Sequence, residues 1–443
     1  MSLALPTSPA APGLLDGWAR NYIAKQLGNL RRGEIKLEDG SGMVTLGEPA
    51  DLKATMRIHR SRFFRQAVLG GTLSVAESYL RGDWDCDDLT SLLRICVRNG
   101  SSAYQLDRGL ARFARIGHRT YHWLRANTRL GSRKNISAHY DLGNEFYRLW
   151  LDETMAYSSG IFPTPQSTMR EASDEKFDRV CRKLQLKPSD NLLEIGTGWG
   201  GFAIHAAQNH GCHVTTTTIS QEQYAVAESR IEAEGLQSQI RLLKEDYRDL
   251  RGQFDKLVSI EMIEAVGHRF LDQYFEQCGK LLRPDGSFVL QAIVIPERDH
   301  AAYLKSVDFI RRYVFPGGCL PSVASIQQSM GRTTDMRLVH MEDIAPHYAE
   351  TLRHWRRKFQ DRIEDVRAMG YSEEFIRLWN YYLCYCEAGF EERYVGVVQM
   401  QFDKPECRRD PAELNGFAAT NRNRLSPKYA KALRERVPCG AGS

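Results

Sequence analysis

The absences in this chain each remove a class of function. No apolar run among its 443 residues approaches the roughly 20 needed for a membrane-spanning helix. The start, Met1-Ser2-Leu3-Ala4-Leu5-Pro6, lacks a basic segment ahead of an apolar stretch, so no secretory signal is expected. No G-x-S-x-G elbow is present, which argues against a serine hydrolase. Ten cysteines are scattered without C-x-x-C spacing. The one close pair, Cys384 and Cys386, lies in an aromatic stretch that reads as a packed helix. Reduced core thiols in a cytosolic protein, with no metal site, are the expectation. Acids are missing from one region. Between Arg108 and Lys134 stand Arg112, Arg115, Arg119, Arg125, Arg129 and Arg133, interleaved with Leu110, Phe113, Ile116, Trp123 and Leu124. Such a stretch suits an anionic membrane surface on the inner face of a membrane, or a solvated helix between domains. Nucleic acid is the weaker reading, since no recognised binding module accompanies it.

What the chain does have is one glycine-dense turn, Leu192-Leu193-Glu194-Ile195-Gly196-Thr197-Gly198-Trp199-Gly200-Gly201, running into a helical pattern. Glycines allow positive φ and close approach of backbone to a ligand, and the helix start presents unpaired N–H groups. Gly196, Gly198 and Gly201 match G-x-G-x-x-G, the dinucleotide spacing. That reading also needs an acid ending the second strand to hold a ribose. His213–Ser220 ends without one. Glu194 instead suits a site for an amino-acid portion, as in S-adenosylmethionine (SAM) methyltransferases. A purely structural turn stays open on this motif alone.

Around the turn, apolar patterning predicts strands at 192–195, 213–219, 240–245, 255–260 and 287–294, with helices at 200–209, 221–234 and 270–282. This alternation argues for βαβ units and a parallel sheet. Residues 298–390 read as mostly helical and aromatic-rich, with a strand at Met336–Met341, and Tyr394–Phe402 reads as a late strand. Upstream, 34–46 reads as a hairpin around Asp39-Gly40, and helical patterns occupy 14–30, 57–69, 75–81 and 89–97. The expected organisation is an N-terminal α+β domain over 1–105, a basic linker over 106–134, the main domain over 135–404 and a tail over 405–443.

The motifs Ala138-His139-Tyr140-Asp141-Leu142-Gly143-Asn144-Glu145-Phe146-Tyr147, Tyr157-Ser158-Ser159, the glycine turn, Thr218-Ile219-Ser220-Gln221-Glu222-Gln223, Asp246-Tyr247-Arg248-Asp249, Ser259-Ile260-Glu261-Met262-Ile263-Glu264 and Phe315-Pro316-Gly317-Gly318 occur in an order that resembles the cyclopropane-fatty-acid synthase family. The resemblance implies a SAM-dependent methyltransferase fold. Its parts would be a seven-stranded, Rossmann-like sheet with one antiparallel strand, a helical lipid-binding insertion and a small N-terminal α+β domain. It implies SAM contacts from Tyr157 and Ser158 at the methionine end, and from Gly196 and Gly198 at the turn. Thr218, Ile219 and Gln223 would surround the ribose and adenosine, with Asp246 and Tyr247 near the adenine.

The implied activity is one-carbon transfer to the cis double bond of an unsaturated phospholipid acyl chain. The product would be a cyclopropane, or a methyl-branched or methylated alkene. Such an enzyme would sit at the membrane periphery and could pair as a homodimer. A carbocation intermediate demands excluded water, aromatic faces and a base. The aromatic candidates are Tyr313, Phe315, Tyr348, Trp355, Phe359, Trp379, Tyr381, Tyr382 and Phe390.

Family members hold bicarbonate as that base, and the resemblance carries its site onto Glu264, Ile293, Tyr348, Ser159 and Gln291. The last two replace a cysteine and a histidine, which counts against bicarbonate although a hydroxyl and an amide can still donate to an oxyanion. Glu264 is then either the base or a group that holds one. Glu261 reads as a strand-end surface residue. A non-catalytic lipid-binding protein is the alternative from another class, and an NAD oxidoreductase is disfavoured by the missing acid.

Overall fold

The computed structural model describes residues 14–100 and 143–409. The basic stretch 108–134, the run 138–142 and the tail from 410 lie outside the described residues. A four-stranded sheet leads the chain: α1 (Leu14–Leu27), β1 (Gly33–Asp39), β2 (Gly42–Glu48), β3 (Lys53–Ile58), α2 (Arg62–Leu80), β4 (Trp84–Cys86) and α3 (Leu89–Arg98), in strand order β2-β1-β3-β4. The hairpin is present, with Asp39 opposite Gly42, and the Ser41 N–H donates to Asp39 Oδ1 at 2.8 Å. The helix expected over 57–69 starts later. Ala54, Met56 and Ile58 are buried in alternation, so 53–58 is a strand of period two beside β1. The helix begins only at Arg62 and continues to Leu80, with a non-helical backbone at Gly71 (φ 67°).

The second sheet has seven strands: β5 (Asn191–Ile195), β6 (His213–Thr217), β7 (Ile240–Leu243), β8 (Phe254–Ile260), β9 (Leu282–Val294), β10 (Arg337–Asp343) and β11 (Gly396–Asp403). Their order is β10-β11-β9-β8-β5-β6-β7, and β11 alone runs antiparallel to both of its neighbours. This is the Rossmann-like, seven-stranded sheet with one antiparallel strand that the resemblance implies. From β5 the chain moves outward to β6 and β7, then returns to place β8 and β9 on the other side. The crevice at the carboxyl ends of β5 and β8 is therefore the topological switch point, where α/β sheets bind ligands.

Helices cover this sheet: α4 (Asn144–Arg148), α5 (Met169–Leu184), α6 (Gly201–His210), α7 (Gln221–Ala233) and α8 (Leu271–Leu281). Beyond β9 come α9 (Glu297–Tyr303) and α10 (Val323–Thr333), and between β10 and β11 lie α11 (Ala345–Asp361), α12 (Ile363–Ala368) and α13 (Glu373–Glu391). The helical insertion packs on the N-terminal sheet's helices, where Arg94 Nε and Arg98 Nε each lie 2.7 Å from the Glu392 carboxylate. Among the described residues, no helix is long and apolar enough to cross a membrane.

Candidate active site at the carboxyl ends of the central strands

A cavity of about 360 Å³ opens at the switch point and extends under the helical insertion. All ten residues assigned to the cofactor line it: Tyr157, Ser158, Glu194, Gly196, Gly198, Thr218, Ile219, Gln223, Asp246 and Tyr247. The turn holds Gly196, Gly198 and Gly200 at φ +104°, +54° and +86°. Gly201 has a second reason to be glycine, because a Cβ there would meet the Thr154 carbonyl oxygen at 2.7 Å.

The polar groups here are arranged rather than free. Thr218 Oγ1 donates to Gln223 Oε1 at 2.9 Å. Asp246 is gripped by its neighbour, with Arg248 Nη2 2.6 Å from Oδ2 and Nε 2.8 Å from Oδ1. The fully buried Lys176 donates to Ser158 Oγ at 2.7 Å, and burial lowers its ammonium to about 8. Thr216 Oγ1 donates to Glu194 Oε2 at 2.6 Å. Burial nonetheless pushes Glu194 up to about 8, with Thr216 and Lys176 opposing. A buried carboxylate held this high is suited to a cationic group beside it, which would favour its charged form.

Of the aromatic candidates, Phe315, Tyr348, Tyr382 and Phe390 line the cavity. Trp355, Phe359, Trp379 and Tyr381 are core instead. Tyr313 hydrogen-bonds Glu77.

The five residues assigned to an anion site converge on two carboxylates, and one of those was misplaced by the sequence reading. Glu261 is no surface residue. β8 ends in the crevice rather than at the protein's edge, so Glu261 lines the cavity, and its exposed portion faces that space. Its backbone sits at φ +51°, a region costly for any residue but glycine, and such strain concentrates at functional sites.

Three donors meet its carboxylate. The Ser159 N–H reaches Oε1 at 3.0 Å, Gln291 Nε2 reaches Oε1 at 2.7 Å, and the Tyr348 hydroxyl reaches Oε2 at 2.7 Å. The Ser159 hydroxyl, expected as the donor, turns to the Gly160 carbonyl instead. Four lone-pair sites less three leaves one, on Oε2.

Glu264 stands beside it. Its Oε1 accepts from the Ile293 N–H at 2.6 Å, while its buried Oε2 has no hydrogen-bond partner. Burial, and then the neighbouring Glu261 charge, pushes Glu264 up to about 8. Burial raises Glu261 too, but the donors from Gln291, Ser159 and Tyr348 all act to favour its charged form.

The orientation of Gln291 follows from a buried chain the sequence reading missed. Lys183 Nζ, which can only donate, lies 2.6 Å from Gln399 Oε1 and 2.7 Å from Glu342 Oε2. Gln399 must then turn its Nε2 outward, and it donates to Gln291 Oε1 at 2.9 Å. Gln291 in turn must aim Nε2 at Glu261. The available signal was in α5, where Lys176 and Lys183 are two helical turns apart. They share a face with Ala172, Ser173 and Val180, all buried.

Comparison with known proteins places this architecture. The family model for mycolic acid cyclopropane synthetase matches residues 128–400. Cyclopropane-fatty-acyl-phospholipid synthase of Escherichia coli K12 is 35% identical over 394 residues, covering 88% of this chain and 94% of its own. The tuberculostearic acid methyltransferase UfaA1 of Mycobacterium tuberculosis is 38% identical over 370 residues, covering 79% of this chain and 83% of its own. Among solved structures, the cyclopropane synthase MmaA2 of Mycobacterium tuberculosis superposes with a TM-score of 0.58 at 31% identity, over 61% of this chain and 98% of that one. The chain belongs to the mycolic acid cyclopropane synthetase family and is a SAM-dependent methyltransferase.

Proposed function

We propose that this protein transfers one carbon from SAM to the cis double bond of an unsaturated phospholipid acyl chain, with Glu261 as the base. The observation that carries this is a tethered carboxylate on the cavity wall, seated on three donors with one lone pair left. When bound, SAM supplies an electrophilic methyl group. Glu194, Ser158 and the glycine turn hold its amino-acid end, while Thr218, Gln223 and Asp246 line the space for the nucleoside. An alkene that accepts the methyl is left with positive charge on the neighbouring carbon. The faces of Phe315, Tyr348, Tyr382 and Phe390 offset that charge. Glu261 Oε2 takes the proton, and Glu264, carrying its own proton at neutral pH, keeps a second negative charge away.

Ring closure is our first reading: the proton leaves the added methyl and a cyclopropane forms. A methylated product is the second. It is favoured by Glu261 standing where an external bicarbonate was expected, and by the similarity to a protein named as a methyltransferase rather than a cyclopropane synthase. Bicarbonate has no assigned role in either. The test is lipid mass spectrometry with trideuteromethyl SAM and unsaturated phospholipid vesicles, with proton NMR of the product. Loss of one deuteron together with cyclopropyl signals identifies ring closure, and retention of all three with an olefinic signal identifies a methylated alkene, the proton then having left a neighbouring chain carbon. No carbon gain would reject the activity.

The Lys183–Gln399–Gln291 chain gives Lys183 a positioning role. Lys183→Met should free both amides to flip and remove one donor from Glu261. Turnover should fall about tenfold, by roughly 1.4 kcal/mol, at unchanged SAM affinity. Losing a donor to the charged form raises the pKa, so the acid limb of the pH–rate profile should move to higher pH. An unmoved limb would sink the idea. Arg179 still meets Glu342 at 2.5 Å in that variant, so the carboxylate is not stranded.

For substrate delivery we assign the 108–134 stretch to an anionic membrane surface. Sedimentation with anionic vesicles should then weaken as salt rises. It should weaken further when Arg112, Arg115 and Arg119 become Gln, each residue being worth on the order of 1 kcal/mol. Equal binding to zwitterionic vesicles would overturn the assignment.

A further inference from the structure

Away from the cavity, α5 and α6 cross with a cluster between them that the methyl-transfer chemistry does not use. Asp178 and Cys181 lie three residues apart on α5. His205 and His210 lie on α6, the latter as its final residue. One ligand atom each from Cys181, His205 and His210 falls within 4.8 Å of the other two. Asp178 Oδ1 lies 3.0 Å from His205 Nε2 and 3.7 Å from His210 Nε2. His210 Nε2 is buried with no hydrogen-bond partner. None of the four residues lines the cofactor cavity.

We propose that Asp178, Cys181, His205 and His210 form a binding site for one zinc-type divalent cation. Tetrahedral zinc with bonds of about 2.0–2.3 Å sets its ligand atoms roughly 3.3–3.7 Å apart, so the Cys181, His205 and His210 atoms need close in only slightly, whereas Asp178, now hydrogen-bonded to His205 and outside that group of three, must turn its side chain to join them. The donor set of one sulfur, two imidazole nitrogens and one carboxylate oxygen suits zinc. Magnesium and calcium require oxygen ligands.

Charge balances as well. A thiolate and a carboxylate neutralise the dication, and the Cys181 proton leaves to solvent on binding. With Asp178 turned in beside the three clustered ligands, four protein ligands would close the coordination sphere, which is the pattern of a structural site rather than a hydrolytic one. Asp174 Oδ1 stands 3.9 Å from His205 Nδ1, outside hydrogen-bond distance, and would have to move closer to orient a metal-bound imidazole.

Cys181 is fully buried, but the side chains of Asp178 and His210 are 37% and 21% exposed, so the cation has a path from solvent. The consequence reaches the active site through the two helices themselves. α5 carries Lys176 and Lys183, and α6 starts at Gly201 of the cofactor turn. A bound cation would tie these together without touching substrate.

The test uses the full chain, dialysed against chelator and titrated with zinc alone by calorimetry and with cobalt(II) by absorption spectroscopy. One equivalent of zinc per chain is expected, with a cobalt–thiolate charge-transfer band and the intense visible bands of four-coordinate cobalt. Cys181→Ser should lose the charge-transfer band. His210→Gln, at a part-exposed position that should still fold, should bind zinc at least about tenfold more weakly. Circular dichroism checks the fold of each variant. Absence of the cobalt–thiolate band in the wild-type chain, or unchanged zinc affinity in folded His210→Gln, would overturn the site. In those cases the cluster is a plain helix contact held by the His205–Asp178 hydrogen bond.

Discussion

Glu261→Gln is expected to lose about 10²–10⁴-fold in turnover, the usual contribution of a general base, while binding SAM as the wild type does. The substitution keeps the shape of the side chain and removes its charge. Its amide cannot take a proton from the methylated chain. Its amide oxygen would take the Oε1 position, at which the Ser159 N–H and Gln291 Nε2 both point, and its N–H₂ would then fill the Oε2 position beside the Tyr348 hydroxyl, where the free lone pair had been. Glu264→Gln is the informative partner. Glu264 is pushed up to about 8, so at pH 7 it is already the neutral acid that glutamine imitates. It should therefore lose far less, provided the Ile293 N–H still finds an oxygen. The comparison locates the base: a severe loss in Glu264→Gln beside a mild one in Glu261→Gln would move that role to Glu264. Removing bicarbonate should change wild-type turnover little, because the anion's expected partners Ser159, Gln291 and Tyr348 already serve Glu261. A strict bicarbonate requirement would mean that the glutamate only lends its donors to an exchangeable anion.

Much of this arrangement is legible along the chain, and the failures share a cause. The glycine turn, the alternating strands and the late strand announce themselves because each is a local pattern of period or spacing, whereas the antiparallel sense of that last strand is implied only by the family resemblance. The same holds for the Asp39–Gly42 hairpin. The strand at 53–58 was missed and the helix begun too early at Arg57, because only three alternating apolar residues, Ala54, Met56 and Ile58, mark a short strand before the start of a helix. Glu261 went wrong for a different reason. A carboxylate at the end of a strand looks the same in sequence whether the strand opens to solvent or into a crevice. Only the strand order, which puts β5 and β8 side by side, decides between them. The Lys183–Gln399–Gln291 chain joins residues up to 216 positions apart. No local period can report it, and it becomes visible only when β9, β11 and α5 are in place.

The cofactor turn allows an equally large effect to be separated from misfolding. Gly198→Val should leave a folded chain in which SAM binding is no longer detected. A Cβ built at Gly198 meets no atom within 4 Å, so the added side chain projects into open space beside a cavity-lining backbone. Its φ of +54° is left-handed, which costs an L-residue roughly 1–2 kcal/mol. That cost alone does not unfold a domain. Gly196 offers the contrast. Its φ is +104°, and a Cβ there would lie 3.2 Å from the Met262 Cβ, so Gly196→Val must shift the turn itself. The Gly196 and Thr197 N–H groups both donate to the Thr217 carbonyl, and that shift would loosen β5 from β6. Gly196→Val should therefore lower the melting temperature as well as the affinity, whereas Gly198→Val should lower chiefly the affinity. Calorimetry for SAM and thermal unfolding of the two variants separate these effects. A folded Gly198→Val chain that binds SAM with wild-type affinity would mean that the cofactor does not lie over the turn.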